Sequence, residues 1–212
     1  MSKICGQLHQ LFSSQKIFQF PFNRSQIPDN GIYILFEDGE FAHGTRRIVR
    51  VGTHTGKDQL RSRLRQHFMQ ENKDRSIFRK NIGRTLLKKA DDPFLHQWEL
   101  DLTTRAAREK YQAQIDQHYL TTVEKMVSDY LQKHFQFTVF EVQDKTIRMN
   151  LESKIISTIS KCEECKPSPT WLGLHSPKAK ICESGLWLVN ELYKEPLNEV
   201  EFENLKAYLG KP

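Results

Sequence analysis

A chain of 212 residues has room for one domain, or for one domain with a sizeable insertion. Its 38% hydrophobic residues, with 13 Phe and 3 Trp, exclude general disorder, and a mean hydropathy of −0.63 with only short apolar runs excludes a membrane span. Charge is unevenly placed: between Arg46 and Lys89 fourteen Lys and Arg face three acids, a net of +11 in a chain of +6, so the other 168 residues carry −5. A local excess of this kind predicts a polyanion-binding face. Four Cys are too few for a disulfide scaffold. The N-terminus breaks its apolar residues with Gln, His and Lys, unlike a secretory leader, so the chain is expected to be cytoplasmic.

In chain order, Ile4, Leu8, Leu11 and Phe12 share one side of an amphipathic helix over 1–14. Phe18, Phe20 and Phe22 then alternate along an extended arm that ends near residue 27, and packing of these rings is favoured over a role as a platform for bases. Ile27-Pro28-Asp29-Asn30-Gly31 is a turn signal. It feeds a buried strand, Ile32 to Phe36. Asp38-Gly39 is expected to turn the chain into a returning strand, Arg47 to Val51. Gly52 and Gly56 bracket a loop, and Asp58 is placed to cap a helix that buries Leu60, Leu64 and Phe68. A second helix, about Ser76 to Lys89, buries Phe78, Ile82 and Leu86, while Lys80, Arg84 and Lys88 form a basic stripe. Asp91-Asp92-Pro93 breaks that helix. Residues 91–134 read as a helical insertion whose long run from Thr104 turns Ile115, Tyr119, Val123, Met126, Tyr130 and Leu131 to one side. Period two returns over Phe137–Val142, a third strand. Ile147, Leu151, Ile155 and Ile159 mark another helix, and a last one lies near Val200–Leu209. The expected fold is α/β (α+β): one domain with a small, mainly antiparallel three-stranded sheet flanked by helices.

Three residue groups carry chemistry. Tyr33 follows a turn glycine at a strand start. Arg63 and His67, four apart, share a helix face within the basic segment. Glu152 lies beside an apolar helix stripe, where burial of a carboxylate is costly. In this order, with Gly31-Ile32-Tyr33 on the first strand, Val51-Gly52 closing the second and Arg63-Leu64-Arg65-Gln66-His67-Phe68 on the helix, the chain resembles the GIY-YIG nuclease superfamily over roughly 28–90 and 136–173.

The resemblance implies hydrolysis of a nucleic-acid phosphodiester, with DNA the expected partner. It makes Tyr33 the acceptor of a proton from the attacking water, although a phenol ordinarily ionises only near pH 10 and needs cationic help or a relay. Arg63 would hold the scissile phosphate, and His67 would orient Tyr33 or the phosphate. Glu152 would be the carboxylate on Mg²⁺, with Mn²⁺ able to substitute. The chain departs from the pattern twice. Arg50-Val51-Gly52 lacks the second tyrosine, so Arg50, or His54 in the next loop, would contact phosphate instead. The loop Pro167 to Gly173 lacks the family's Asn, so Ser168 or Thr170 would serve. With no separate reader module in the sequence, the expectation is a restriction-type endonuclease. One site cuts one strand, so a double-strand break requires a homodimer or sequential nicking. The rival reading is a non-catalytic nucleic-acid-binding module that retains the fold.

Cys162-Glu163-Glu164-Cys165, with His175 and Cys182, would make a three-thiolate, one-imidazole Zn²⁺ site. Reduced free thiols are the favoured reading of this set, and Cys5 reads as incidental.

Overall fold

The elements in chain order are α1 (Ser2–Ser13), β1 (Phe18–Gln19), β2 (Gly31–Ala42), β3 (Thr45–Gly52), α2 (Leu60–Phe68), α3 (Ile77–Lys89), α4 (Leu95–Glu99), α5 (Arg105–Tyr111), α6 (Gln117–His134), β4 (Phe135–Glu141), α7 (Lys145–Ser160), α8 (Ala179–Ser184) and α9 (Glu199–Leu209), in a computed structural model that describes residues 2–209. The strands form one antiparallel sheet in the order β1-β4-β2-β3, open and flanked by helices, so the fold is mixed α/β. The expected three strands become four because the aromatic arm supplies an edge: Phe18 pairs with Phe137. Phe18 also stacks on Phe137 at 5.3 Å and Phe22 meets that ring edge-on at 4.9 Å, so these arm rings are packed.

β2 lies in the middle of the sheet and is covered on both faces, which is why its apolar run is nearly continuous. Tyr33 and Leu35 face one core, built with Leu60 and Leu64 of α2, Phe78 and Ile82 of α3, and Val123 and Val127 of α6. Ile32, Ile34 and Phe36 face the other, built with Leu8 and Phe12 of α1, Leu151 and Ile155 of α7, and Phe202 and Leu205 of α9. Each such side chain, fully buried, contributes about 1.5–3 kcal/mol. Among the described residues no helix is long and apolar enough to cross a membrane.

Several local expectations change. Asp38-Gly39 lies inside β2, where the pairing slips between Phe36 and Phe41, and the hairpin turns instead at His43-Gly44, with φ of 51° and 75°. Asp58 does not cap α2. Its carboxylate accepts from Asn30 Nδ2 at 2.6 Å, and the first free amide of the helix, at Leu60, donates to the Asp29 carbonyl at 3.0 Å. The long helical run of the insertion is broken, because Thr104 caps α5 and Asp116 separately caps α6. On α6 the buried side is Val123, Val127 and Leu131, leaving Tyr119 and Met126 exposed. On α7, Ile147 is likewise exposed.

Candidate active site

Tyr33 on β2 lies opposite Gly52 on β3. A Cβ at Gly52 would stand 2.2 Å from Tyr33 Oη, so only glycine leaves room for the phenol. Tyr33 Oη is 2.8 Å from His67 Nε2, and His67 Nδ1 is 2.7 Å from Ser76 Oγ. Leu64 and Phe68 anchor α2 against the core, and this turns His67, one residue before Phe68, inward. Ser76 caps α3 by accepting the Arg79 amide at 3.2 Å, so one hydroxyl starts a helix and holds the imidazole. Burial, and then the charges of Arg63, Arg50 and Arg79, hold His67 well below the ordinary imidazole range, and the ring is neutral.

Arg50 reaches this face through a β-bulge. Leu35 pairs with Arg50 and Phe36 with Ile48, so Val49 is the extra residue. Strict alternation would put Arg50 on the same side as Ile48. With the bulge, Ile48 stays in the α1–α7 core while Arg50 lies over the Phe78 ring, 4.9 Å from its centroid, on the side of Tyr33. Arg50 Nη1 donates to the Trp187 carbonyl, and its buried Nε has no hydrogen-bond partner among the described residues.

Glu152, near the middle of α7, accepts the Thr53 amide on Oε1 at 3.1 Å. Burial pushes its carboxyl up, opposed chiefly by the charge of Arg50. Glu152 and Arg50 line one cavity of about 490 Å³ together with Asn81, Asn150, Asn190 and Glu191. Beyond Thr53 a second cavity of about 270 Å³ is lined by Thr53, His54, Ser62, Arg63 and Gln66. Arg63 is half-exposed and donates to Gln66 Oε1 and the Arg75 carbonyl, each at 3.2 Å. The donors around Glu152 are a second carboxylate, Glu191, and side-chain amides. That set fits a hard divalent cation that keeps most of its own waters.

The remaining expected residues lie elsewhere or are spoken for. His54 Nδ1 donates to the Gly56 carbonyl at 2.7 Å and Nε2 accepts the Gly31 amide at 3.4 Å, so the ring ties the loop to the strand start. Lys80 and Arg84 are buried rather than solvated. Lys80 donates to the Glu99 carbonyl at 3.0 Å, and Arg84 makes two bonds of 2.7 Å to the Glu99 carboxylate. Only Lys88 of that stripe is exposed. Ser168 is bonded through N and Oγ to Glu40 and Thr170 to Ser168, and neither lines the Glu152 cavity. The amide facing that cavity from a loop is Asn190, preceded by Leu188 and Val189. Asn190 and Ser76 carry no pattern in the sequence. Ser76 was legible only as a helix start.

A model of the GIY-YIG domain family matches residues 3–211 of the chain. No curated protein and no solved structure gives a match. The match covers nearly the whole chain, including the insertion and both terminal helices, and the protein therefore belongs to the GIY-YIG nuclease superfamily.

Proposed function

We propose that the protein is a Mg²⁺-dependent, restriction-type DNA endonuclease that acts in the cytoplasm and cuts a phosphodiester by direct attack of water. The observation that carries this reading is the meeting of Glu152 and Arg50 in a single cavity, with the Arg50 charge acting on His67 of the buried Tyr33–His67 pair. Ser76 Oγ accepts the Arg79 amide and has its own proton to give to His67 Nδ1. The neutral ring then carries its hydrogen on Nε2 and donates it to Tyr33 Oη, holding that oxygen in place for its role as the base. Arg63 and Arg50 hold the phosphoryl oxygens, and the free Nε of Arg50 is suited to an anion at the place of the family's second tyrosine. Glu152, with Asn190 beside it, would hold the cation, which when bound supplies charge stabilisation to the leaving oxygen. The family match includes the insertion, which would contribute to sequence reading. Double-strand cleavage would use a homodimer or two nicking events.

The test is plasmid relaxation and linearisation with Mg²⁺ or Mn²⁺. Tyr33→Phe and Glu152→Ala should each slow cleavage by at least about 100-fold. Cleavage that survives Glu152→Ala would refute the assigned site. The absent second tyrosine favours a different reading, a binding module without chemistry, and tight, salt-sensitive, metal-independent DNA binding with no cleavage would establish it instead.

A further inference from the structure

A cluster of thiols and imidazoles lies on the opposite side of the sheet from Tyr33, outside the catalytic arrangement. Ligand atoms of Cys5, His9, His43 and Cys165 all lie within 4.8 Å of one another. Cys162 joins them, its Sγ 3.4 Å from His43 Nε2. The Sγ atoms of Cys5 and Cys165 are 3.3 Å apart, and Cys165 Sγ is 3.3 Å from His43 Nε2. Three segments converge here: α1, the β2–β3 turn and the loop that follows α7.

His9 and His43 differ in what their second nitrogen does. His9 Nδ1 donates to the Cys5 carbonyl at 2.9 Å and Nε2 accepts the Ile48 amide at 3.2 Å, closer than the Cys5 and Cys165 Sγ atoms at 3.7 and 3.9 Å, so the backbone engages both nitrogens first. His43 keeps Nε2 on the thiols and turns Nδ1 to the Glu164 carboxylate at 3.3 Å. A carboxylate behind the distal nitrogen is the usual support of a metal-bound imidazole. His43 also holds φ at 51°, in a turn position that Asn or Gly fills more easily. In α1, a Cβ at Gly6 would stand 3.2 Å from His43 Nδ1, so the helix is relieved where the ring lies.

We propose that Cys5, His43, Cys162 and Cys165 form a structural Zn²⁺ site, with His9 as a support outside the ligand set. A tetrahedral site with Zn–S of about 2.3 Å and Zn–N of about 2.0 Å has edges of about 3.8 Å between sulfurs and about 3.5 Å from sulfur to nitrogen. The measured spans of 3.3 and 3.4 Å lie within about half an ångström of those edges. The cysteine pair spaced Cys-x-x-Cys is a common zinc half-site. The other half comes from residues 119 to 160 positions away in the chain. His175 and Cys182, the partners that spacing suggests, are not part of the cluster, and Cys182 Sγ instead contacts the carbonyls of Gly173 at 3.3 Å and Ser176 at 3.2 Å. Bound zinc would clamp α1 and the hairpin turn to the loop that leaves the helix carrying Glu152.

The full-length protein, purified without added metal or chelator, should contain about one zinc per chain by elemental analysis. Replacement by Co²⁺ should give the intense visible bands of a tetrahedral thiolate site. Cys5→Ser, Cys165→Ser and His43→Ala should each lower zinc content at least about tenfold, whereas Cys182→Ser and His9→Gln should retain it. If those ligand variants fail to fold, the wild-type protein still decides: titrating its thiols with an organomercurial should release zinc in step with three of the four. Zinc-free protein with four free thiols, a Cys5–Cys165 disulfide in the intact mass, or zinc lost with Cys182→Ser but kept with Cys5→Ser would each overturn the site. Zinc content is read without DNA, so failure of the nuclease reading leaves this result untouched.

Discussion

At the scale of single residues, the Tyr33–His67–Ser76 chain makes two predictions. His67 is wholly buried and neutral, facing Tyr33, Ser76 and the guanidinium groups of Arg63, Arg50 and Arg79. Its folded-state pKa is depressed, so below about pH 6.5 the unfolded chain binds a proton that the folded chain does not. Stability is therefore lost as pH falls through that value, with a slope approaching about 1.4 kcal/mol per pH unit from this group. Urea denaturation of wild type and His67→Gln at pH 7.5 and pH 5.5 should show the gap between them shrinking at the lower pH. Gly52→Ala, with its Cβ driven onto Tyr33 Oη, should cost about 1–3 kcal/mol and abolish plasmid nicking. The placement of Tyr33 on a buried strand and of Arg63, His67 and Glu152 on helices was legible in the sequence, because each lies at a fixed offset within one element. Asn190 was not, because nothing local distinguishes a loop amide that faces a cavity from one that faces solvent.

Among the elements, the insertion is locked to α3 by a buried ion pair. Arg79 of α3 donates to the Glu124 carboxylate of α6 through Nε at 3.1 Å and Nη2 at 2.7 Å, and to Ser128 Oγ at 2.9 Å. Arg79 also reaches the His67 carbonyl at 3.2 Å, so the same guanidinium joins α2, α3 and α6. Arg79→Met should destabilise the protein by about 3–5 kcal/mol at pH 7, because it leaves a buried carboxylate uncompensated. Burial already pushes Glu124 up, so the loss should be smaller at pH 5, where the stranded carboxyl takes a proton; chemical denaturation at the two values checks this. The insertion's helices were legible from their period of 3.6, but the break between α5 and α6 was not. A continuous hydrophobic period gives no sign of where two capping residues divide it.

For the whole molecule, the basic segment is partly an internal matter. Arg47, Arg50, Lys73, Arg79, Lys80 and Arg84 are buried. Glu40, Glu124 and Glu99, all from outside the segment, pair with Arg47, Arg79 and Arg84. The cations left for a polyanion include exposed Lys57, Arg65 and Arg75, with half-exposed Arg63, around α2 and its flanking loops, whereas Arg61 pairs with Asp29 at 2.9 Å. Measured by anisotropy across a salt series, Arg65→Gln should lower the dependence of log K on log salt by about 0.9 for one lost phosphate contact. Arg84→Gln should leave that slope unchanged and lower stability instead.

The sequence by itself determined what periods of two and 3.6 residues can carry: the buried strand with Tyr33, the paired face of Arg63 and His67, and the helix with Glu152. The tertiary structure decided which side of the sheet Arg50 faces, because one extra residue at Val49 reverses the alternation. It also decided which of fourteen cations remain free, and that Cys5 and His43 meet Cys162 and Cys165. These outcomes depend on contacts between positions far apart in the chain. Such contacts form only when burial of two cores on one sheet brings them together, and local pattern does not encode them.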